Sequence, residues 1–175
     1  MKGSLSHLVK RFFDVLLSKP LSSDEISKVE NWLVPALAEL FFEQPPADQR
    51  HGYRAALVVV ADADATADII EAALMHDIGK RHASLGILGR TIASILIKLG
   101  VPLPRRMMTY RDHGPVGAHE LAAKGASRIS VEFAAHHHGS RPGEFDPAAW
   151  NLLLLADEPP NPRSLLRSGI TSDTK

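Results

Sequence analysis

Ala72-Ala73-Leu74-Met75-His76-Asp77-Ile78-Gly79-Lys80 is an apolar helical run that stops on an imidazole and a carboxylate, followed at once by glycine and lysine. Working outward, Asp62-Ala63-Asp64 separates this helix from an earlier one over about 47–61, which carries Gln49-Arg50-His51 near its start. Far downstream, a second apolar run, Leu152-Leu153-Leu154-Leu155-Ala156, leads into Asp157. His51, His76, Asp77 and Asp157 therefore come from three predicted helices. Converging side chains in a bundle core can hold a cation without breaking backbone hydrogen bonds. Imidazole nitrogen with carboxylate oxygen suits a divalent ion, whether Mn, Fe, Mg, Co, Ni or Zn.

The rest of the chain keeps helical spacing. Leu8, Phe12, Val15 and Leu16 form one amphipathic face, and Ile26, Val29, Trp32, Leu33, Leu37 and Leu40 are read as another single helix. Ser22 and Glu25 have capping-box spacing at its start, Pro45-Pro46 ends it, and Asp48 is placed to cap the next. Beyond Gly100-Val101-Pro102-Leu103-Pro104 a loop feeds a helix starting near Gly114-Pro115, with proline at the first helical position, and ending near Gly125. Another runs from about Ile129 into His136-His137-His138, and the last spans Ala148 to Asp157. Val58 to Val60 is β-branched, but its neighbours stay in helical register. The expected fold is all-α, a single-domain helical bundle. Residues 1–46 form an N-terminal helical extension on the core, 47–158 the metal-binding helical domain, and 159–175, rich in Pro, Ser and Thr, a tail.

The chain has 175 residues, with 20 Lys plus Arg against 20 Asp plus Glu, so no overall field favours general nucleic-acid binding. The absence of cysteine excludes disulfides, thiolate ligands and a cysteine nucleophile. The N-terminus does not read as a secretory signal, so a cytoplasmic address is expected. Leu85 to Leu99 is the most hydrophobic stretch, yet Gly89, Arg90 and Lys98 interrupt it and it is shorter than the roughly 20 residues of a bilayer span. It reads as a buried or interface helix. The alternative is a surface that docks on a membrane or on a second subunit, giving a homo-oligomer.

The order His51, His76-Asp77, Asp157 on a helical chain resembles the HD-domain superfamily of metal-dependent phosphohydrolases, over roughly residues 48–158. The resemblance implies an HD-type bundle, one or two divalent ions and hydrolysis of a phosphomonoester or phosphodiester, in a nucleotide or another small phosphorylated metabolite. The nucleophile would be water whose pKa the cation lowers from about 15.7 towards about 7. It also implies that His113, opening a helix with Gly114, Pro115 and Gly117, and one histidine of the triplet serve a second ion bridged by Asp77. His137 is favoured there, since it fits whether the motif is read from His136 or from His137. Lys80 and Arg81 are placed to meet a phosphoryl group, and Arg54, three residues after His51, to reach an anionic substrate in competition with Arg50. Asp77, Lys80 and Asp157 are the expected catalytic residues, Asp157 as ligand or general base. His119, His82 and His7 are assigned to the surface, and Glu158, Asp112 and Asp62 to Asp64 to caps and solvated charges.

Departures narrow the family. Gly139-Ser140-Arg141-Pro142-Gly143 stands where cyclic-dinucleotide phosphodiesterases of the HD-GYP branch carry Gly-Tyr-Pro, and the guanosine-tetraphosphate and triphosphohydrolase members are longer. Two other readings use the same ligands: a catalytically silent module or scaffold that binds metal and nucleotide, and an HD-type di-iron oxygenase.

Overall fold

Prolines cut the N-terminal half of the molecule into its helices. In the computed structural model, which describes residues 19–158, the periodic stretch from Ile26 to Leu40 is two helices, α1 (Ser23–Trp32) and α2 (Pro35–Phe42), where sequence periodicity suggested one. Pro35 is the reason: it pushes Val34 into extended backbone, starts α2 at its first positions, and leaves Leu33 as the end of α1. The capping box forms as expected, Ser22 N–H donating to Glu25 and Glu25 N–H to the Ser22 hydroxyl. Pro45 and Pro46 then open α3 (Pro46–Val60).

Asp48 does not cap α3. It lies inside the first turn, buried, and its carboxylate receives both hydrogen bonds from one Arg90 nitrogen at 2.6 and 2.8 Å. With Pro45 as cap residue and Pro46 supplying no N–H, the first turn has less need of a side-chain acceptor.

Next come α4 (Ala67–Met75), a 3-10 helix (Ile78–Ala83), α5 (Ile87–Lys98), α6 (Arg105–Arg111), α7 (His113–Ala123), α8 (Arg128–His136) and α9 (Pro147–Asp157). No strand occurs among the described residues, and the fold is an all-α bundle. Helix α6 falls where a loop was expected, because Pro104 starts a new helix instead of breaking an old one. As a result α7 begins at His113, and Pro115 is its third residue instead of its first. The expected helix around Leu8 to Leu16 and the tail beyond Pro159 lie outside the described residues.

Helix α4 is the central element, packed against α3, α8, α9 and α1. A single continuous core joins Val29, Leu37 and Phe41 of α1 and α2 to Ala56 and Val59 of α3, Leu74 and Met75 of α4, Leu121 of α7, Phe133 of α8, and Trp150 and Leu153 of α9. Trp150 meets Phe133 and Phe145 edge to face, and Phe133 and Phe145 are tilted against each other, with ring centroids 5.0 to 6.5 Å apart within the core. Helix α5 stands apart from this core. Among its described side chains Ala93 is the buried hydrophobic one, whereas Leu88, Ile92, Ile95 and Leu99 are exposed, so of the expected buried or interface helix over Leu85–Leu99 the buried reading is overturned. No helix of the described residues is long and apolar enough to cross a membrane.

Candidate metal centre

The histidines and aspartates singled out in the sequence are delivered almost entirely from helix ends. His76 is the C-cap of α4 and Asp77 follows it; His113 is the first residue of α7; His137 is the C-cap of α8; Asp157 is the last residue of α9. His51, in the second turn of α3, is the exception. A helix end leaves carbonyls without intrahelical partners, and two of the histidines use them. His76 Nδ1 donates to Ala73 O at 3.0 Å and His137 Nδ1 to Ala134 O at 2.9 Å. His113 Nδ1 likewise donates to Tyr110 O of α6 at 2.6 Å. Because a carbonyl only accepts, Nδ1 carries the proton on all three rings, which turns each Nε2 towards the cluster and fixes its orientation.

Asp77 is the hinge of the arrangement, with its side chain 4% exposed. Its Oδ2 lies 3.5 Å from His51 Nε2 and 3.5 Å from His76 Nε2, while its Oδ1 lies 3.1 Å from His113 Nε2 and 3.5 Å from His137 Nε2. Asp157 Oδ1 completes the first side, 3.0 Å from His51 Nε2 and 3.1 Å from His76 Nε2. Two donor groups result: His51, His76, Asp77 and Asp157, and Asp77, His113, His137 and His138, each with one ligand atom per residue and all such atoms within 4.8 Å of one another. One carboxylate belongs to both.

Backbone contact between helices holds this geometry. A Cβ on Gly79 would stand 2.0 Å from His113 O and 2.7 Å from Gly117 N, so the 3-10 helix touches α7 through bare backbone at the point where Asp77 meets His113. Gly52, beside His51, brings α3 against Leu74 O of α4 in the same way. The ring of Phe133 backs His76 and His137, with centroids 5.8 and 5.7 Å away.

Charge is concentrated here. Burial opposes ionisation of Asp77, yet Lys80, His76, His113 and His137 together hold its carboxyl well below the usual range. Asp157 is likewise held low against burial, by His76 and His51. For His76 burial favours the neutral ring, but Asp77 and Asp157 outweigh it and push the imidazole up to about 10. His138, though its residue is exposed, goes the other way: partial desolvation of the ring and the neighbouring His137 and His113 drive it down to about 3. His137 Nε2 is buried with no hydrogen-bond partner, an orphan that costs free energy unless something electrophilic meets it. Imidazole nitrogens and carboxylate oxygens crowded at 3.0 to 3.5 Å, with one nitrogen orphaned, are the donor set of a divalent cation, which would displace the His76 proton on binding.

Other expected site residues are placed differently. Lys80 is buried and its ammonium sits against Asp77 Oδ2. Arg81 is bound by Glu43 and Glu120 and does not reach the cluster as a substrate group; the 3-10 turn carries its side chain towards α2 and α7. Arg50 is also removed from the substrate role, since its guanidinium grips Glu25, Lys19 O and Pro20 O and ties the start of α1 to α3. Arg54 is exposed and makes no ion pair among the described residues. His119 is exposed, as is His82, although His82 meets Glu120 at 2.9 Å. Sequence reasoning selected one member of the triplet where the structure brings together two: His138 Nε2 lies 3.3 Å from His113 Nε2, and His136 is exposed. The signal was the adjacency itself, since residues that straddle a helix end leave the helical direction and can turn to the same point.

In comparisons with known proteins, no family model, no curated protein and no solved structure matches the chain.

Proposed function

We propose that the protein is an HD-type metal-dependent phosphohydrolase that cleaves a phosphomonoester or phosphodiester of a small phosphorylated molecule, a nucleotide being the leading class. The observation that carries the reading is the shared carboxylate: Asp77 presents one oxygen to His51 and His76 and the other to His113 and His137. Two divalent ions a few ångströms apart are the arrangement used to activate water and bind phosphoryl oxygens together. His51, His76, Asp77 and Asp157 would hold one ion, and Asp77, His113, His137 and His138 the other. A cation bound there supplies Lewis acidity, acidifying water and neutralising phosphoryl charge.

The chain's own residues divide the remaining work. Asp157, with its carboxyl held far below the usual range, is a weak base at neutral pH, which favours its role as ligand over general base. Lys80, whose Nζ donates to the shared carboxylate, is placed to stabilise phosphoryl oxygen when substrate binds. Arg54, one turn from His51 on α3, offers an exposed cation to a second anionic group of the substrate.

The test is to load the protein with Mn²⁺, Fe²⁺, Co²⁺, Ni²⁺, Mg²⁺ or Zn²⁺, count bound ions, and assay nucleotides and phosphodiesters for product, with Asp77→Ala as control. Turnover that needs the metal and disappears in Asp77→Ala is the expected result. Metal binding and a ligand-induced rise in melting temperature without product would establish the silent module instead, and oxygen consumption by the iron form would establish the oxygenase.

A further inference from the structure

Between Asp77 and Asp112 the chain contains no acidic residue and seven cations, Lys80, Arg81, Arg90, Lys98, Arg105, Arg106 and Arg111, although the whole protein is formally neutral. Four of these are matched by carboxylates brought from elsewhere: Lys80 by Asp77, Arg81 by Glu43 and Glu120, Arg90 by Asp48, and Arg111 by Asp112. Lys98, Arg105 and Arg106 are exposed and make no ion pair among the described residues.

Helix α5 runs through this segment with its polarity inside out. Leu88, Ile92, Ile95 and Leu99 are spaced four, three and four residues apart, and at about 100° per residue they fall on one line along the helix. All four face solvent, with Leu88 and Leu99 each 68% exposed. Ala93 and the Asp48-bound Arg90, on the opposite side, anchor the helix to the bundle. Val101 and Met108, just beyond α5 and on α6, are exposed as well, and α6, packed against α5, carries exposed Arg105 and Arg106.

We propose that this face docks the protein on an anionic lipid bilayer, with α5 lying in the interface plane and Lys98, Arg105 and Arg106 at the headgroups. The charge chooses the occupant. An exposed apolar line in a segment, 78–111, that carries seven cations and no acidic residue matches an acidic membrane surface, whereas a second copy of the same face would set like charges against each other. Residues 1–18 carry the same sign of charge, with Lys2, Lys10 and Arg11 against Asp14.

The natural chain has no cysteine, so Ile92→Cys accepts a single environment-sensitive fluorophore on the face itself. The full-length labelled protein is mixed with vesicles of phosphatidylcholine alone, or with phosphatidylglycerol at about two to one. A blue shift and co-sedimentation with the acidic vesicles only, both weakened by high salt, are expected. Ile92→Gln with Ile95→Gln, and separately Lys98→Gln with Arg105→Gln and Arg106→Gln, should each lower vesicle partitioning at least about tenfold while leaving the thermal unfolding midpoint unchanged. Failure to bind acidic vesicles at low salt overturns the proposal. So does a fluorophore already blue-shifted without lipid, which assigns the face to residues 1–18 if it persists on dilution and to a second copy if it fades.

Discussion

Replacing Gly79 by alanine tests the claim that the candidate metal centre is held by backbone contact between the 3-10 helix and α7. The new Cβ would lie 2.0 Å from His113 O, about 1.3 Å closer than the shortest ordinary carbon–oxygen contact of about 3.3 Å. Gly117 N at 2.7 Å and His113 C at 2.9 Å crowd it as well. All three neighbours are main-chain atoms, so no rotamer change relieves the overlap and the two segments must separate. Overpacking of this kind typically costs about 1–3 kcal/mol and sometimes more; an overlap this deep belongs at the upper end. Loss of glycine's extra freedom in the unfolded chain returns about 0.5–1 kcal/mol. The net destabilisation of about 2 kcal/mol lowers the melting temperature by roughly 4–8 °C in a domain of this size. Asp77 and His113 straddle the same junction, so the group containing His113, His137 and His138 should lose its metal before the group containing His51. Gly117→Ala meets the contact from the other side, at 2.9 Å from Gly79 N and from Ile78 Cγ2, and should be milder. Gly143→Ala enters open space and serves as control. Thermal unfolding and metal counting on the three variants decide the matter. A Gly79→Ala protein that melts with the Gly143→Ala control and binds the same number of ions would refute the reasoning.

In chelated protein His76 has its pKa raised from 6.5 to about 10, so the stability it contributes is fully present below pH 6.5 and is lost as pH rises through about 10. Denaturant titrations of chelated protein from neutral pH upward should show that decline. The same proton must leave when Nε2 takes a metal, so Mn²⁺ binding should tighten with pH, and its calorimetric enthalpy should vary with the buffer's heat of ionisation. Glu25 behaves oppositely: the Arg50 guanidinium holds its carboxyl at about 2 instead of 4.5, so its contribution is present above 4.5 and is lost as pH falls towards 2. Removing the pair with Glu25→Gln should cost about 1 kcal/mol or less at neutral pH, because it is partly solvated, and should flatten the acid limb of the stability curve. Phe133→Ala removes a fully buried ring from the core and should cost about 3–5 kcal/mol in denaturant unfolding. It should also weaken metal binding, because His76 and His137 lose the surface behind them.

The helices were legible wherever an apolar stripe was long and its stop signals were local. Ser22 with Glu25, the runs into His76 and Asp157, and the end of α7 just before Gly125 all follow from neighbouring residues. What escaped depended on residues distant in sequence. Nothing near Asp48 announces that Arg90, 42 residues later, takes its carboxylate, nor does the sequence around Arg50 reveal a partner in Glu25. Arg81 looked available for substrate because its acceptors, Glu43 and Glu120, lie on other helices. For helix α5 the buried option failed for a different reason: hydrophobicity reports the free energy available from burial, not whether the fold provides a place for it. Its apolar line found no counterpart in the bundle, where Arg90 and Ala93 took the inner side.

The candidate metal centre was more legible than the packing around it because its geometry belongs to helix ends. Periodicity predicts where a helix stops, and the last turn has carbonyls that lack donors. A histidine at such a position can satisfy one carbonyl with Nδ1 and still aim Nε2 outward, so stop signal and candidate ligand are the same residue at His76 and His137. Spacing along the chain then matters less than which helix ends meet. The glycines at 52, 79 and 117 let them meet closely enough for five residues to surround Asp77. That also explains why His138 was missed, since its neighbour His137 fulfils the helical rule and His138 lies one residue past it, where the chain direction is set by the turn. The centre should therefore tolerate conservative changes along helix faces and fail when a backbone contact is pried apart, as Gly79→Ala would do.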